Sequence, residues 1–150
     1  MTFRLNAARL LATLALATGF ATAAHADDAA ALAAAAKEPG AVVTDSGLVF
    51  RSLSEGAGAS PKARDKVKVN YRGSFPDGTK FDASADHGGP ISFPLNRVIP
   101  CWTEGVQKLK VGGKAKLTCP SAIAYGPNGM GPIPGGATLV FDVELISIPK

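Results

Sequence analysis

PCWTEGVQKLKVGGKAKLTC, from Pro100 to Cys119, changes its hydrophobic period once, and that change decides the fold class. Its first half has helical spacing. Pro100 or Cys101 opens the helix, and proline suits the first helical position because its φ is already set. Trp102 to Val106 is an i, i+4 step and Val106 to Leu109 an i, i+3 step, so the three share one face. Gly112-Gly113 ends the run. The second half has period two: Ala115, Leu117 and Cys119 alternate with Lys114, Lys116 and Thr118, as in a strand buried on one face.

Outward from this stretch only strands recur. Val67, Val69 and Tyr71 alternate with Lys66, Lys68, Asn70 and Arg72. Leu139, Phe141, Val143 and Leu145 alternate with polar neighbours that include Asp142 and Glu144. Leu48, Phe50 and Leu53 suggest a first strand, and Pro76-Asp77-Gly78 is a turn in which proline presets φ and glycine accepts a positive one. Thr79 to Asp82 resumes extended chain. One short helix against the apolar face of a mostly antiparallel sheet predicts an α+β domain over residues 46–150. That length buries enough area for one modest core.

The N-terminal part has different spelling. Arg4 and Arg9 precede an apolar run from Leu10 to Ala21, and Ala24-His25-Ala26 fits an A-x-A cleavage site. Residues 1–26 are therefore expected to be a signal peptide, the apolar run being short for a membrane span. No membrane anchor is expected after cleavage. Residues 27–45 are alanine-rich, broken at Pro39-Gly40, and expected to form a flexible leader. Removing residues 1–26 takes away two arginines and no acid, lowering the formal charge from +4 to +2. The remaining lysines are spread along strands, which indicates a solvated face rather than a nucleic-acid surface. Cys101 and Cys119 are the only cysteines. An even count in an exported chain favours a disulfide, two buried thiols being the alternative.

Few groups can do acid-base or covalent chemistry. The expected mature chain has one histidine, His87, beside Asp86, and sequence neighbours rarely build a nucleophile-base pair, so it is read as a solvated loop residue. One histidine and two scattered cysteines do not make a metal set, and no metal is expected. Gly112-Gly113-Lys114 lacks the rest of a phosphate loop, and Gly126 to Gly136 does not fit G-x-G-x-x-G. No cofactor is expected. What remains is an apolar set, led by Tyr71, Phe81, Trp102, Tyr125 and Phe141, suited to enclosing an apolar ligand.

The spelling YRGSFPDGTKFDAS, ISFPLNRVIPCWTEGVQKLKVGGKAKL, AYGPNGMGPIP and ATLVFDVEL resembles the FKBP-type peptidyl-prolyl cis-trans isomerases, from about Gly47 onward. The resemblance implies a twisted antiparallel sheet wrapped around one short helix, and rotamase activity on Xaa-Pro bonds. It also implies residue roles. Trp102 would floor the pocket, with Tyr71, Phe81 and Phe141 as aromatic walls and Val98 and Ile99 as the aliphatic rim. The Ile99 backbone N–H and the Tyr125 hydroxyl would bind ligand carbonyls. Asp82 would sit near the twisted amide carbonyl, a turn-capping aspartate being the other reading. Ile133 would close the top, and Ile91 would line the pocket where an aromatic residue is common in eukaryotic members. Cys101 replaces a usual glycine and His87 a usual arginine. Partners implied are proline-containing unfolded or partly folded exported proteins, and the macrolides tacrolimus and rapamycin. The expected setting is a monomer in a bacterial periplasm, with secretion as the alternative. A non-catalytic chaperone using the same groove is the rival function, and a structural envelope protein with a vestigial pocket a third.

Overall fold

A computed structural model describes residues 23–150. The expected signal peptide lies outside the described residues except for its last few positions. Among the described residues no helix is long and apolar enough to cross a membrane. Seven strands form one sheet: β1 (Ala41–Val43), β2 (Val49–Ser54), β3 (Lys66–Ser74), β4 (Lys80–Ala83), β5 (Ile91–Pro94), β6 (Lys114–Cys119) and β7 (Leu139–Ser147). Two helices accompany it, α1 (Ala23–Ala36) and α2 (Pro100–Val106).

The sheet is antiparallel, in the order β1-β2-β6-β7-β3-β4. β5 shares an edge of β3 with β4, taking Lys66 to Val69 while β4 takes Arg72 to Ser74. Alternation in the sequence becomes alternation of burial. Val67, Val69, Leu117 and Leu145 are wholly buried, whereas Lys66 and Asp142 are exposed. The Pro76-Asp77-Gly78 turn forms between β3 and β4, with Gly78 at φ 90° and the Asp77 carboxylate accepting the Thr79 N–H at 2.8 Å.

α2 starts at Pro100, as the spacing predicts, but ends at Val106 rather than at the glycine pair. Lys108 and Leu109 bond back to Gly105 and Val106 in tighter turns, which still bury Leu109 against the sheet. Gly105 lets the helix approach closely, since a Cβ there would stand 2.8 Å from Leu117. Cys101 and Cys119 are joined by a disulfide, with Cα atoms 5.9 Å apart and both residues fully buried. The bridge ties the first turn of α2 to the end of β6.

The flexible leader expected over residues 27–45 instead carries most of α1 and all of β1. Arg51 of β2 and Lys116 of β6 stand opposite each other, and both reach Glu38 at 2.8 Å. Strand residues alternate faces, so this clamp lies on the side of the sheet away from Leu117 and α2. Ala35 is buried there. At the other end of α1, the Asp28 carboxylate accepts the Thr138 N–H at 3.1 Å. The helix is held by these distant partners rather than by an apolar stripe of its own.

Candidate active site

Between α2 and the sheet lies a cavity of about 480 Å³. Each element contributes for a local reason. The outgoing half of β3 presents Tyr71, and β4 returns across it with Phe81 and Asp82. Phe141 comes from β7, opposite Leu117 and therefore on the helix side of the sheet. Phe93 comes from β5. Arg97, Val98 and Ile99 form the approach to α2, and Trp102 stands in its first turn. Tyr125 and Met130 come from the loop between β6 and β7.

Trp102 is the hub. Its ring meets Tyr71 at 5.1 Å, Phe141 at 5.4 Å and Phe93 at 5.9 Å between centroids, each nearly perpendicular. Such edge contacts hold a ring beyond what area burial supplies, by about 0.5–1.5 kcal/mol per pair. Phe81 packs edge-on against Phe141 at 5.6 Å. The floor is therefore a braced aromatic cage. The Trp102 indole nitrogen is buried with no hydrogen-bond partner among the described residues, an arrangement rare in a folded interior.

Among the described residues Asp82 is the only carboxylate on the cavity wall. Its Oδ2 accepts the Tyr71 hydroxyl at 2.6 Å, and its Oδ1 accepts the Ala83 N–H at 2.9 Å and lies 2.8 Å from His87 Nε2. Burial opposes ionisation of Asp82. The bonds from Tyr71 and His87 outweigh it, and the net direction is below the usual carboxylate value. Tyr71 is pushed well up, first by burial and then by its bond to the Asp82 charge. Tyr125 is also raised, by burial and then by Asp82. Both phenols are thus held as hydroxyls; Tyr71 gives its one proton to Asp82, which leaves the Tyr125 hydroxyl to donate to a ligand. Among the described residues the wall holds no serine, threonine, cysteine or lysine nucleophile. The arrangement can bind an apolar group, exclude water and offer one hydroxyl donor, that of Tyr125.

Eight of the ten expected pocket residues come together: Tyr71, Phe81, Asp82, Val98, Ile99, Trp102, Tyr125 and Phe141. Two do not line the cavity. Ile91 is half-buried opposite Val69, two residues short of the wall. Ile133 is buried in the core, and its backbone pairs in both directions with Met130, so it anchors the loop whose Met130 reaches the cavity. Phe93, Arg97 and Met130 were missed. Phe93 could have been found, because period two puts it on the same face as Ile91. Arg97 and Met130 carry no such local signal. His87, read from the sequence as a solvated loop residue, is exposed but also bonded to Asp82.

The family model for FKBP-type peptidyl-prolyl cis-trans isomerases matches residues 58–146. The chain is 57% identical over 119 residues to the FKBP-type peptidyl-prolyl cis-trans isomerase FkpA of Aeromonas hydrophila, covering 79% of this chain and 44% of that protein. It is 49% identical over 113 residues to FkpA of Escherichia coli strain K12, covering 75% of this chain and 42% of the relative. The crystal structure of FkpA from Escherichia coli superposes with a TM-score of 0.81 at 45% identity, over 83% of this chain and 59% of that one. AtFKBP13 gives 0.69 at 31% identity, over 73% of this chain and 98% of that one. The chain spans less than half the length of the two curated FkpA relatives.

Proposed function

This chain belongs to the FKBP-type peptidyl-prolyl cis-trans isomerase family, and from that premise we propose that it accelerates rotation about Xaa-Pro bonds by enclosing the twisted amide in the Trp102 cavity. The observation that carries the reading is the braced aromatic cage that the Trp102, Tyr71 and Phe141 rings build around the cavity. Rotation about an Xaa-Pro bond breaks no covalent bond. Its barrier, roughly 18–20 kcal/mol, comes from amide resonance. A catalyst needs only to bind the twisted amide better than either planar form.

In this reading the proline ring lies on Trp102, between Tyr71, Phe81 and Phe141. The Ile99 backbone N–H and the Tyr125 hydroxyl hold the neighbouring carbonyls, and Asp82 faces the amide carbonyl. The twisted amide has less charge separation than the planar one, so a dry aromatic site disfavours it less. Substrates are proline-containing unfolded or partly folded exported proteins. The protein acts as a monomer in the periplasm after loss of residues 1–26, and tacrolimus or rapamycin enters the same cavity.

The test is cis/trans exchange of an Ala-Leu-Pro-Phe peptide by the bridged protein, with and without rapamycin. Acceleration blocked by the macrolide is expected. Peptide binding without acceleration would replace the reading with that of a non-catalytic binder.

A further inference from the structure

We propose that His87 is a protonation-dependent positioning residue for Asp82, so that peptide engagement in the cavity strengthens when its imidazole is protonated. This rests on the isomerase reading above and adds regulation of the same site.

The geometry is a chain of three groups. His87 Nε2 stands 2.8 Å from one Asp82 oxygen, and the Tyr71 hydroxyl stands 2.6 Å from the other. Tyr71 and Asp82 face the cavity, while His87 does not line it. His87 ends the short 3-10 turn Ser84–His87 that follows β4, and Gly88 leaves that turn at φ 91°. Only a residue tolerant of positive φ turns the chain there, which ends the turn directly after His87.

Other charges near this chain are accounted for. Asp86, on the same turn, is engaged by Lys80 of β4 at 2.9 Å. Beside Tyr71 and Asp82, β3 carries Lys66, Lys68 and Arg72 and β4 carries Lys80; Arg72 donates to the Gly78 carbonyl at 3.4 Å, and Tyr125 and Arg97 share the cavity wall with Asp82. Among the described residues, His87 is the one basic side chain paired with Asp82, at 2.8 Å.

The consequence is electrostatic. A peptide entering the cavity covers the Asp82 carboxylate and strips part of its water. Covering a lone carboxylate costs free energy, whereas covering an ion pair costs less. Histidine is the side chain whose ordinary titration falls between about pH 5 and 8. Protonated, His87 compensates Asp82 and fixes its rotamer. Neutral, it keeps a hydrogen bond but leaves the charge.

The experiment measures kcat and KM for the Ala-Leu-Pro-Phe peptide from pH 5.5 to 8.5, in wild type, His87→Gln and His87→Arg, with thermal melts confirming that all three fold. For a half-exposed pair, kcat/KM of wild type should rise roughly threefold on acidification, carried by KM. His87→Gln should stay flat at the wild-type alkaline level, and His87→Arg flat at the acidic level. One shared pH profile in all three proteins overturns the proposal. If wild type catalyses nothing at any pH, the isomerase reading fails separately. Peptide affinity read from Trp102 fluorescence then decides: the same ordering of the three proteins supports the positioning role, and equal affinities overturn it.

Discussion

Gly73 occupies the point where β3 passes under two rings of the cage. A Cβ at that position would lie 2.6 Å from Phe81 and 2.9 Å from Phe141. Gly73→Ala must therefore move the rings. We expect it to cost about 1–3 kcal/mol of stability by overpacking and to raise KM for the peptide, read by denaturant unfolding and by exchange kinetics. Tyr125→Phe removes one hydroxyl donor and leaves the ring in place. A hydrogen bond worth about 1 kcal/mol predicts a fivefold loss in kcat/KM with unchanged stability. At this scale the sequence was most readable where residue type and family spelling coincide, as at Trp102, Phe141 and Asp82. It was least readable at Ile91 and Ile133. Both are apolar and near the site, but Ile91 lies two residues farther along β5 than Phe93, and Ile133 is taken up by its backbone pairing with Met130.

The disulfide joins one element that carries a pocket residue to another that leads into a pocket loop. α2 holds Trp102, and β6 leads into the loop holding Tyr125. A double Cys101→Ala, Cys119→Ala protein should lose about 3 kcal/mol in the chain-entropy account, and its KM should rise because floor and loop are no longer fixed to each other. Urea unfolding and peptide kinetics check both parts, and unchanged values would remove the bridge's role in the site. The alternating strands β3, β6 and β7 were legible because burial on one face imposes period two over six or more residues. β5 was not, since it has four residues and ends on Pro94. α1 was not legible as a docked element either. Polyalanine has good helix propensity, but the partners that hold this helix, Arg51, Lys116 and Thr138, are far away in the chain. Glu38→Gln, which weakens the clamp to Arg51 and Lys116, should lower stability by about 1 kcal/mol and leave peptide turnover unchanged, as measured by melting and exchange.

For the molecule as a whole, the shifted groups bound the pH range of stability from both sides. Glu38 is lowered, chiefly by its hydrogen bond from Lys116, and Asp82 is lowered by its bonds from Tyr71 and His87 despite burial. The folded state binds these protons more weakly than the unfolded chain. The stability they add is present above the ordinary carboxylate range, about pH 4, and is lost as pH falls through their lower native values. Tyr71 and Tyr125 are raised. Their contribution is complete below the ordinary tyrosine value, about pH 10, and is lost as pH rises toward their native values. Melting temperature against pH should be a plateau with shoulders below 4 and above 10, and Tyr71→Phe should blunt the alkaline one. The α+β architecture was legible from one change of period. The sheet's order was not, because nothing local says that β7 lies between β6 and β3. That placement governs how the chain can be made. Until residues 139–147 are in place, β1-β2-β6 and β3-β4-β5 are two half-sheets with no shared strand, so a chain threaded N-terminus first into the compartment where it folds cannot close its sheet until its final strand arrives.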